Sequence, residues 1–397
     1  MKLEEKSPNS KEFPLPAHPN RRSRPSLGRN SLIDFMPHST ANRPASCAHH
    51  GGLIALPLGQ SRIALSALAA LALLSSHAGA ARSPPDPNLQ VVALKAQDLR
   101  LASLVFRLTV ANRALCRNLM SATGLVLHGR DQYPPSIRAA AARELVFETP
   151  VAVEGVVEGS PAALAGIKAH DSLVAVNDFP IASAEPVAGQ SSSARDSAER
   201  MIGSIPPASP IRLTVLRTGE KREFEITPKA ACRIRAEVLP ASSLAGQTDG
   251  EIAQFGDRLL GRLDDGGLAA VAAHELGHAI LEHRRRLEAQ GVRKGLLGEF
   301  GASRAANRKA EMEADRLSVH ILGNAAMDPA LLLQFWRGPG RAIAPDLFRS
   351  RAYPSRAERI ALIEHEIAAW RSEPKMALEK LGLGDRGLGS SDKPPGP

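Results

Sequence analysis

A stretch rich in alanine and leucine, LAAVAAHELGHAILEH, covers residues 268–283. Its pattern predicts one helix, with Asp264 and Asp265 as candidate caps at the start and an end near Gly291. Two histidines and a glutamate stand among small apolar residues in this helix. Burial of such polar groups costs free energy unless something pairs with them, so this helix is where chemistry is expected.

The histidines are His274 and His278, and the glutamate is Glu275. Residues four apart project from the same face of a helix, so both imidazoles can bind one metal ion. The carboxylate of Glu275 can reach a water on that ion without being a ligand, as in zinc hydrolases. His-Glu-x-x-His also arises by chance, so an ordinary amphipathic helix is the alternative for this motif alone.

A catalytic zinc site takes three protein ligands and keeps one position open. His283 is a poor third ligand, because it falls about half a turn around the helix from the first histidine. A second predicted helix within 303–315 offers Glu311, with Asp315 on the same face to accept the second ring N–H of a ligating histidine. The alternative is a solvated acidic face, to which Glu313 is assigned.

His-Glu-Leu-Gly-His, followed by Ser-Arg, six residues and Glu-x-x-Ala-Asp, resembles the M48 family of zinc metallopeptidases over residues 235–372. The resemblance implies one Zn²⁺ per chain, with His274, His278 and Glu311 as its ligands. Glu275 is then the general base. The family has a His-Pro step where this chain has Tyr353-Pro354. The Tyr353 hydroxyl is therefore a candidate oxyanion donor, with a packed interface tyrosine as the alternative.

The segment 151–228 predicts strands over 153–157 and 171–177, a short helix between them, a helix over 194–202 and a terminal hairpin. Its Gly-Ser-Pro-Ala-x-x-Ala-Gly-Ile pattern resembles bacterial PDZ domains. The resemblance implies that extended peptides bind by adding a strand to a sheet edge. Gly124 and Leu125 are candidates for the peptide-binding loop, and an ordinary glycine turn is the alternative.

Two more strands are predicted outside this segment. Residues 101–111 alternate apolar and polar side chains after a proline-rich linker. Asp249-Gly250 predicts a hairpin, with 252–255 as an edge strand. Members of the M48 family lay such a strand above the zinc to hold the substrate backbone.

The chain of 397 residues has a net charge of +9, which raises the question of nucleic-acid binding. The first 80 residues hold nine Lys/Arg and four Asp/Glu, so only +4 remains for the rest, without a basic stripe. Within this part, Arg62, the apolar run 63–74 and a small-residue step predict a signal peptide cleaved near Ala80 or Ala81. An uncleaved membrane anchor is the alternative.

The predicted export bears on whether the cysteines form a disulfide. Cys47 would be lost with the leader, which leaves Cys116 and Cys232 as an even pair in an oxidising compartment. A disulfide between them would tie the segment before the middle domain to the segment after it. Two separate buried thiols are the alternative.

Together these patterns predict an α+β protein, in which a small β-rich PDZ-like domain precedes a mostly helical zincin-type metallopeptidase domain. The expected activity is zinc-dependent hydrolysis of exported or misfolded proteins in the periplasm or outside the cell. The alternative is a peptide-binding, chaperone-like quality-control protein with a structural or self-inhibited zinc site. Expected partners are proteins or peptides, without nucleic acid, and a membrane only if the signal segment is retained. The predicted parts are the leader 1–81, an N-terminal segment 82–150 partly packed on the PDZ-like domain, the PDZ-like domain 151–232, the peptidase domain 233–375 and the tail 376–397.

Overall fold

The computed structural model describes residues 86–181, 189–240, 246–248, 251–292, 301–343 and 353–372. The predicted signal peptide, Cys47, the Asp249-Gly250 turn and the tail lie outside these ranges. No helix among the described residues is long and apolar enough to cross a membrane.

Helices and strands occupy the following residues. The helices are α1 (Pro87–Ala111), α2 (Pro135–Glu144), α3 (Pro161–Leu164), α4 (Ser193–Ser204), α5 (Asp257–Leu260), α6 (Asp265–Ile280), α7 (His283–Ala289), α8 (Gly301–Asn324), α9 (Ala330–Arg337), α10 (Gly340–Ile343) and α11 (Arg356–Ser372). The strands are β1 (Leu119–Ala122), β2 (Leu125–Gly129), β3 (Val151–Val156), β4 (Ser172–Val176), β5 (Phe179–Pro180), β6 (Ile211–Arg217), β7 (Glu220–Ile226), β8 (Lys229–Cys232), β9 (Arg235–Leu239), β10 (Gly246–Thr248) and β11 (Ile252–Gly256). The fold is α+β, with a β-rich part followed by a mostly helical part, as predicted at this level.

A six-stranded antiparallel sheet forms the β-rich part, in the order β2-β3-β4-β6-β7 with β5 paired to β4. Alternate residues of β3, such as Val151 and Val153, are buried in a core that α4 covers with Ala198 and Ile202. The predicted hairpin is present as β6 and β7. The start predicted at Val151 is too late, because β2 belongs to the same sheet and pairs with β3.

The strand predicted over 101–111 is wrong, because these residues belong to α1. Val91, Leu94, Leu101 and Leu108 are buried at spacings of three and seven residues, which is one face of a helix. Asp86 caps the helix, since its Oδ1 accepts from the Asn88 N–H at 2.9 Å. The apolar face of α1 packs in the same core as α6 and α8, so the N-terminal segment is part of the helical half.

The helical half is built around α6, which packs against α8, α9 and α1. Gly277 of α6 lies against the backbone of Ala314 in α8, and a Cβ at Gly277 would stand 3.1 Å from the Ala314 carbonyl oxygen. A larger residue at this position would push the two helices apart by a few tenths of an ångström. This contact brings the predicted metal-binding faces of α6 and α8 together.

A small sheet with the order β10-β11-β9 lies beside these helices. The prediction of 252–255 as an edge strand is wrong, because β11 pairs antiparallel with β10 and parallel with β9. The edge strand that contacts α6 is β10. Cys116 and Cys232 form a disulfide, the pairing predicted from the sequence.

Candidate metal centre

The helix that carries the His-Glu-x-x-His motif, α6, begins with a side-chain cap and ends at a left-handed turn. The Asp264 carboxylate accepts from the Gly267 N–H at 2.7 Å, which satisfies one of the free donors at the start of α6. The helix ends at Ile280, and Glu282 adopts a left-handed conformation with φ of 50° before α7 begins. The end thus comes earlier than the one predicted near Gly291.

Three donor atoms converge between α6 and α8. His274 Nε2 and His278 Nε2 are 3.0 Å apart, and Glu311 oxygens lie 3.3 Å and 3.5 Å from them, respectively. Ligands bound 2.0–2.1 Å from a tetrahedral Zn²⁺ are about 3.3 Å from one another. The donor types and their separations therefore fit a zinc ion, and the group could hold a metal ion.

Glu275 lies beside these donors on α6 and is 2% exposed. Its Oε1 is buried without a hydrogen-bond partner. Burial raises the pKa of this carboxyl to about 7, and the nearby Glu311 acts in the same direction, although His274 opposes both. An oxygen without a partner next to a metal-binding group is placed to accept a proton from a water held there.

Asp315 stands one turn beyond Glu311 on α8 and contacts His274, as its spacing predicts. The Asp315 Oδ1 is 3.1 Å from His274 Nδ1, while His274 Nε2 faces Glu311. Burial alone would lower the pKa of His274, but the hydrogen bonds to Asp315 and Glu311 outweigh burial and raise it to about 9. Asp315 therefore orients the imidazole with Nε2 toward the other donors.

Arg359 is a residue of this site for which the sequence gives no signal. It lies on α11, is 3% exposed, and donates two hydrogen bonds to Asp315, at 2.6 Å and 2.7 Å. Its Nη2 is also 3.4 Å from a Glu311 oxygen, and its guanidinium stacks on the Trp336 ring at 4.1 Å. The buried carboxylates of α8 thus have a cationic partner that the motifs do not contain.

His283 and Glu313 form a second contact chain behind the centre. His283 Nδ1 is 2.8 Å from His278 Nδ1, and His283 Nε2 is 3.2 Å from Glu313, which also binds Arg286 at 3.0 Å. The assignment of Glu313 to a solvated face is wrong, since it is 5% exposed. The prediction for His283 places it on one continuous helix with His278, but the left-handed Glu282 ends that helix and turns His283 back toward His278.

Tyr353 is buried and close enough to Arg359 to raise the pKa of that guanidinium, although burial has the largest and opposite effect. Its backbone carbonyl accepts from Arg308 at 3.0 Å. The structure thus places Tyr353 at the border of the Arg359 cluster. Its role as an oxyanion donor stays a prediction.

Gly124 and Leu125 lie where β2 begins. Gly124 has φ of 83°, and a Cβ there would clash with Ser160 at 2.1 Å, so the turn itself requires glycine. The Leu125 N–H donates to Thr123 Oγ1 at 3.2 Å, and a peptide carboxylate would have to displace that hydroxyl. Both residues nevertheless line a cavity of about 480 Å³ beside β2.

Comparison with family models and with curated proteins finds no match to this chain. Some solved structures are similar to it, each over 28% of the chain. They are a serine endoprotease from Yersinia pestis (20% identity, TM-score 0.19), the HtrA-type protease AlgW with a decapeptide (21%, 0.22) and the HtrA3 PDZ domain with a phage-derived ligand (21%, 0.21). The match covers 29%, 30% and 89% of those chains, less than a third of the first two. At these TM-scores the similarities carry no argument, and functional inference rests on the residues of the chain itself.

Proposed function

We propose that this protein is a zinc-dependent endopeptidase of the M48 type. The observation that carries the proposal is the convergence of His274, His278 and Glu311 beside a buried Glu275 oxygen without a partner. Among the described residues this group of potential ligands has three members. A structural zinc takes four protein ligands, whereas a catalytic zinc takes three, so the donor count favours catalysis over a chaperone-like protein with a structural metal.

His274, His278 and Glu311 would hold the ion. When bound, Zn²⁺ would supply Lewis acidity, which lowers the pKa of a coordinated water and polarises a substrate carbonyl. Glu275 accepts the proton of the attacking water, because its free oxygen faces no other donor. As the peptide bond breaks, Glu275 returns this proton to the leaving amine. Tyr353 is proposed to donate a hydrogen bond to the oxyanion.

The β-rich part is proposed to be a PDZ-like module that captures polypeptide. Among the described strands, β2 pairs on one side only, with β3, and α4 lies beside it. A strand edge next to a helix is the arrangement in which an extended peptide can add a strand. Exposed segments of exported or misfolded proteins are the proposed substrates, and the disulfide is consistent with an oxidising compartment outside the cytoplasm.

Metal content and proteolysis test this function together. The chain is purified without chelator, its zinc is measured by mass spectrometry, and cleavage of unfolded β-casein is followed with and without 1,10-phenanthroline. Glu275→Gln should keep the zinc and lose at least about a hundredfold in rate. Glu288→Gln is the matched control, since Glu288 is an exposed glutamate on α7.

Two outcomes would contradict the proposal. One is cleavage by Glu275→Gln at the rate of the unaltered chain. The other is a zinc-loaded chain that cleaves no unfolded protein or peptide, which would favour the chaperone-like alternative.

A further inference from the structure

The cavity beside β2 is bounded by both halves of the molecule. Its walls come from β2 and α4 of the six-stranded sheet, from α1, and from β9 of the small sheet. Its volume of about 480 Å³ is in the range of binding clefts. The cavity is therefore a groove that runs along a strand edge and has a second wall outside the PDZ-like module.

Asp98 of α1 and Glu154 of β3 line this groove; Glu154 is buried and Asp98 is half-buried. Asp98 accepts from the Val238 N–H at 3.2 Å, and Glu154 accepts from the Tyr133 hydroxyl at 3.4 Å. Neither carboxylate forms an ion pair with any described residue. Lys95 lowers the pKa of Glu154 through space but does not pair with it.

The arginines of the groove are already engaged. Arg195 binds Asp196 at 2.7 Å and Glu237 at 2.8 Å, while Arg235 binds Glu199. Arg195 lowers the pKa of both Asp98 and Glu154 through space, but its ion pairs are with Asp196 and Glu237, so neither groove carboxylate has an ion pair of its own. A buried carboxylate without an ion pair either takes up a proton or attracts a positive ligand.

The two faces of the sheet differ at this edge. Val153 points into the apolar core under α4, so its neighbour Glu154 projects from the opposite face, toward α1. A peptide strand added to β2 would continue this alternation. Every second side chain would face Ile202 and α4, and those between would face Glu154 and Asp98.

We propose that the groove selects extended polypeptides carrying a lysine or arginine, whose side chain lies against Asp98 and Glu154. This inference rests on the proposed capture of peptide by the β-rich part and adds the chemistry of the captured segment. A lysine stem would cover apolar wall while its ammonium binds both carboxylates.

The raised pKa values of Asp98 and Glu154 give binding of a basic side chain a measurable consequence, which is the release of protons. Burial raises the pKa of Asp98 to about 7 and that of Glu154 to about 8; the nearby Glu237 adds to the rise at Asp98, and Asp98 adds to the rise at Glu154. Around pH 7 the pair therefore holds protons in the free protein. A bound cation favours ionised carboxylates, so binding of a basic peptide releases protons that binding of a neutral peptide does not.

Fluorescein-labelled decapeptides with a Val/Ala/Leu background test the inference. Each carries one Lys, Arg, norleucine or Glu, scanned through the positions. Dissociation constants are measured by anisotropy at pH 7 with the full chain bearing Glu275→Gln, which prevents cleavage. At one or more positions Lys or Arg should bind about tenfold tighter than norleucine, and Glu should bind weakest.

The double variant Asp98→Asn/Glu154→Gln keeps a carbonyl acceptor for Val238 and Tyr133. It should bring Lys and norleucine peptides within about twofold of each other, with norleucine binding unchanged. Glu158→Gln, an exposed glutamate of the same part, should keep the preference. Should the double variant not fold, titration calorimetry of the Glu275→Gln chain in two buffers of different ionisation enthalpy measures the proton release.

Equal binding of Lys and norleucine peptides at every position would overturn the inference and leave peptide capture intact. Persistence of the preference in the folded double variant, or equal proton release by both peptides, would overturn it as well. If none of the peptides binds, capture by the β-rich part is wrong and the inference falls with it. The β-casein assay tests proteolysis independently of all these results.

Discussion

His283 Nδ1 lies 2.8 Å from His278 Nδ1, on the side of the His278 ring opposite to the converging donors. If His278 binds a metal through Nε2, its Nδ1–H donates to His283, and His283 donates through Nε2 to Glu313. This chain fixes the tautomer and the ring orientation of a proposed ligand. In the proposed centre His283 would thus be a positioning residue for the metal rather than a ligand.

We expect His283→Ala to weaken zinc affinity by about 10–100-fold, the usual effect of removing a group that orients a ligand. Affinity is measured by competition with a chromophoric zinc chelator at pH 7. His365→Ala is the control, since His365 is exposed on α11. Unchanged affinity in His283→Ala would show that the contact is only packing.

Arg359 neutralises a buried acidic pair from a different helix. It contacts both Asp315 and Glu311, and its guanidinium is buried against Trp336. Arg359→Met keeps most of the side-chain length but removes the two hydrogen bonds from the guanidinium to Asp315, which leaves His274 as the partner of that buried carboxylate. We expect a loss of about 3–5 kcal/mol in the free energy of unfolding, measured with urea on the metal-free chain.

Arg371→Met is the matched control for this substitution, because Arg371 is exposed near the end of the same helix. It should change stability by less than about 0.5 kcal/mol. A loss below about 1 kcal/mol in Arg359→Met would mean that Asp315 finds another partner or takes up a proton.

The proposed ligands could be predicted from the sequence because each pair lies within one helix. His274 and His278 are one turn apart, as are Glu311 and Asp315, so local spacing places each pair on one face. The packing of these two helices against each other depends on contacts between residues that are distant in sequence. It depends on Gly277, whose contact with Ala314 becomes visible only once the helices are packed.

The predictions fail where the structure depends on contacts between residues distant in sequence, or on a turn that ends a helix early. Arg359 lies 44 residues from Asp315, and no motif connects them. The turn at Glu282 interrupts a run that propensity alone would continue as helix. The start of α1 did carry a readable signal, since Asp86 followed by Pro87 is typical of a helix N-terminus, and the apparent alternation after residue 101 obscured it.

The disulfide closes a long loop around the β-rich part. Cys116 and Cys232 are separated by 116 residues, and these include the whole six-stranded sheet. Such a crosslink restricts the unfolded chain, so Cys116→Ser/Cys232→Ser should lower the free energy of unfolding by about 2–5 kcal/mol. Urea unfolding under oxidising conditions measures this loss. The same two proteins should unfold alike after full reduction, and a difference that persists would assign the effect to the serines.

Asp98 and Glu154 make stability depend on pH. Burial raises the pKa of these carboxyls to about 7 and about 8, above the ordinary values of 3.8 and 4.5 that they regain on unfolding. The folded chain therefore binds more protons than the unfolded chain between about pH 4 and pH 8. Its stability falls as pH rises through this window, and the contribution is fully present only below the ordinary values.

The pH dependence of stability that comes from these two carboxyls can be isolated by comparison with Asp98→Asn/Glu154→Gln, because the amides of this variant do not titrate. Lys95, Arg195 and His274 are present in both proteins, so their contributions cancel in this comparison. Between pH 5 and pH 8 the unaltered chain should lose on the order of 6 kcal/mol more than the double variant, measured by urea unfolding. Parallel pH profiles of the two proteins would show that these carboxyls ionise in the folded state as they do in water, and that the groove is open to solvent at this point.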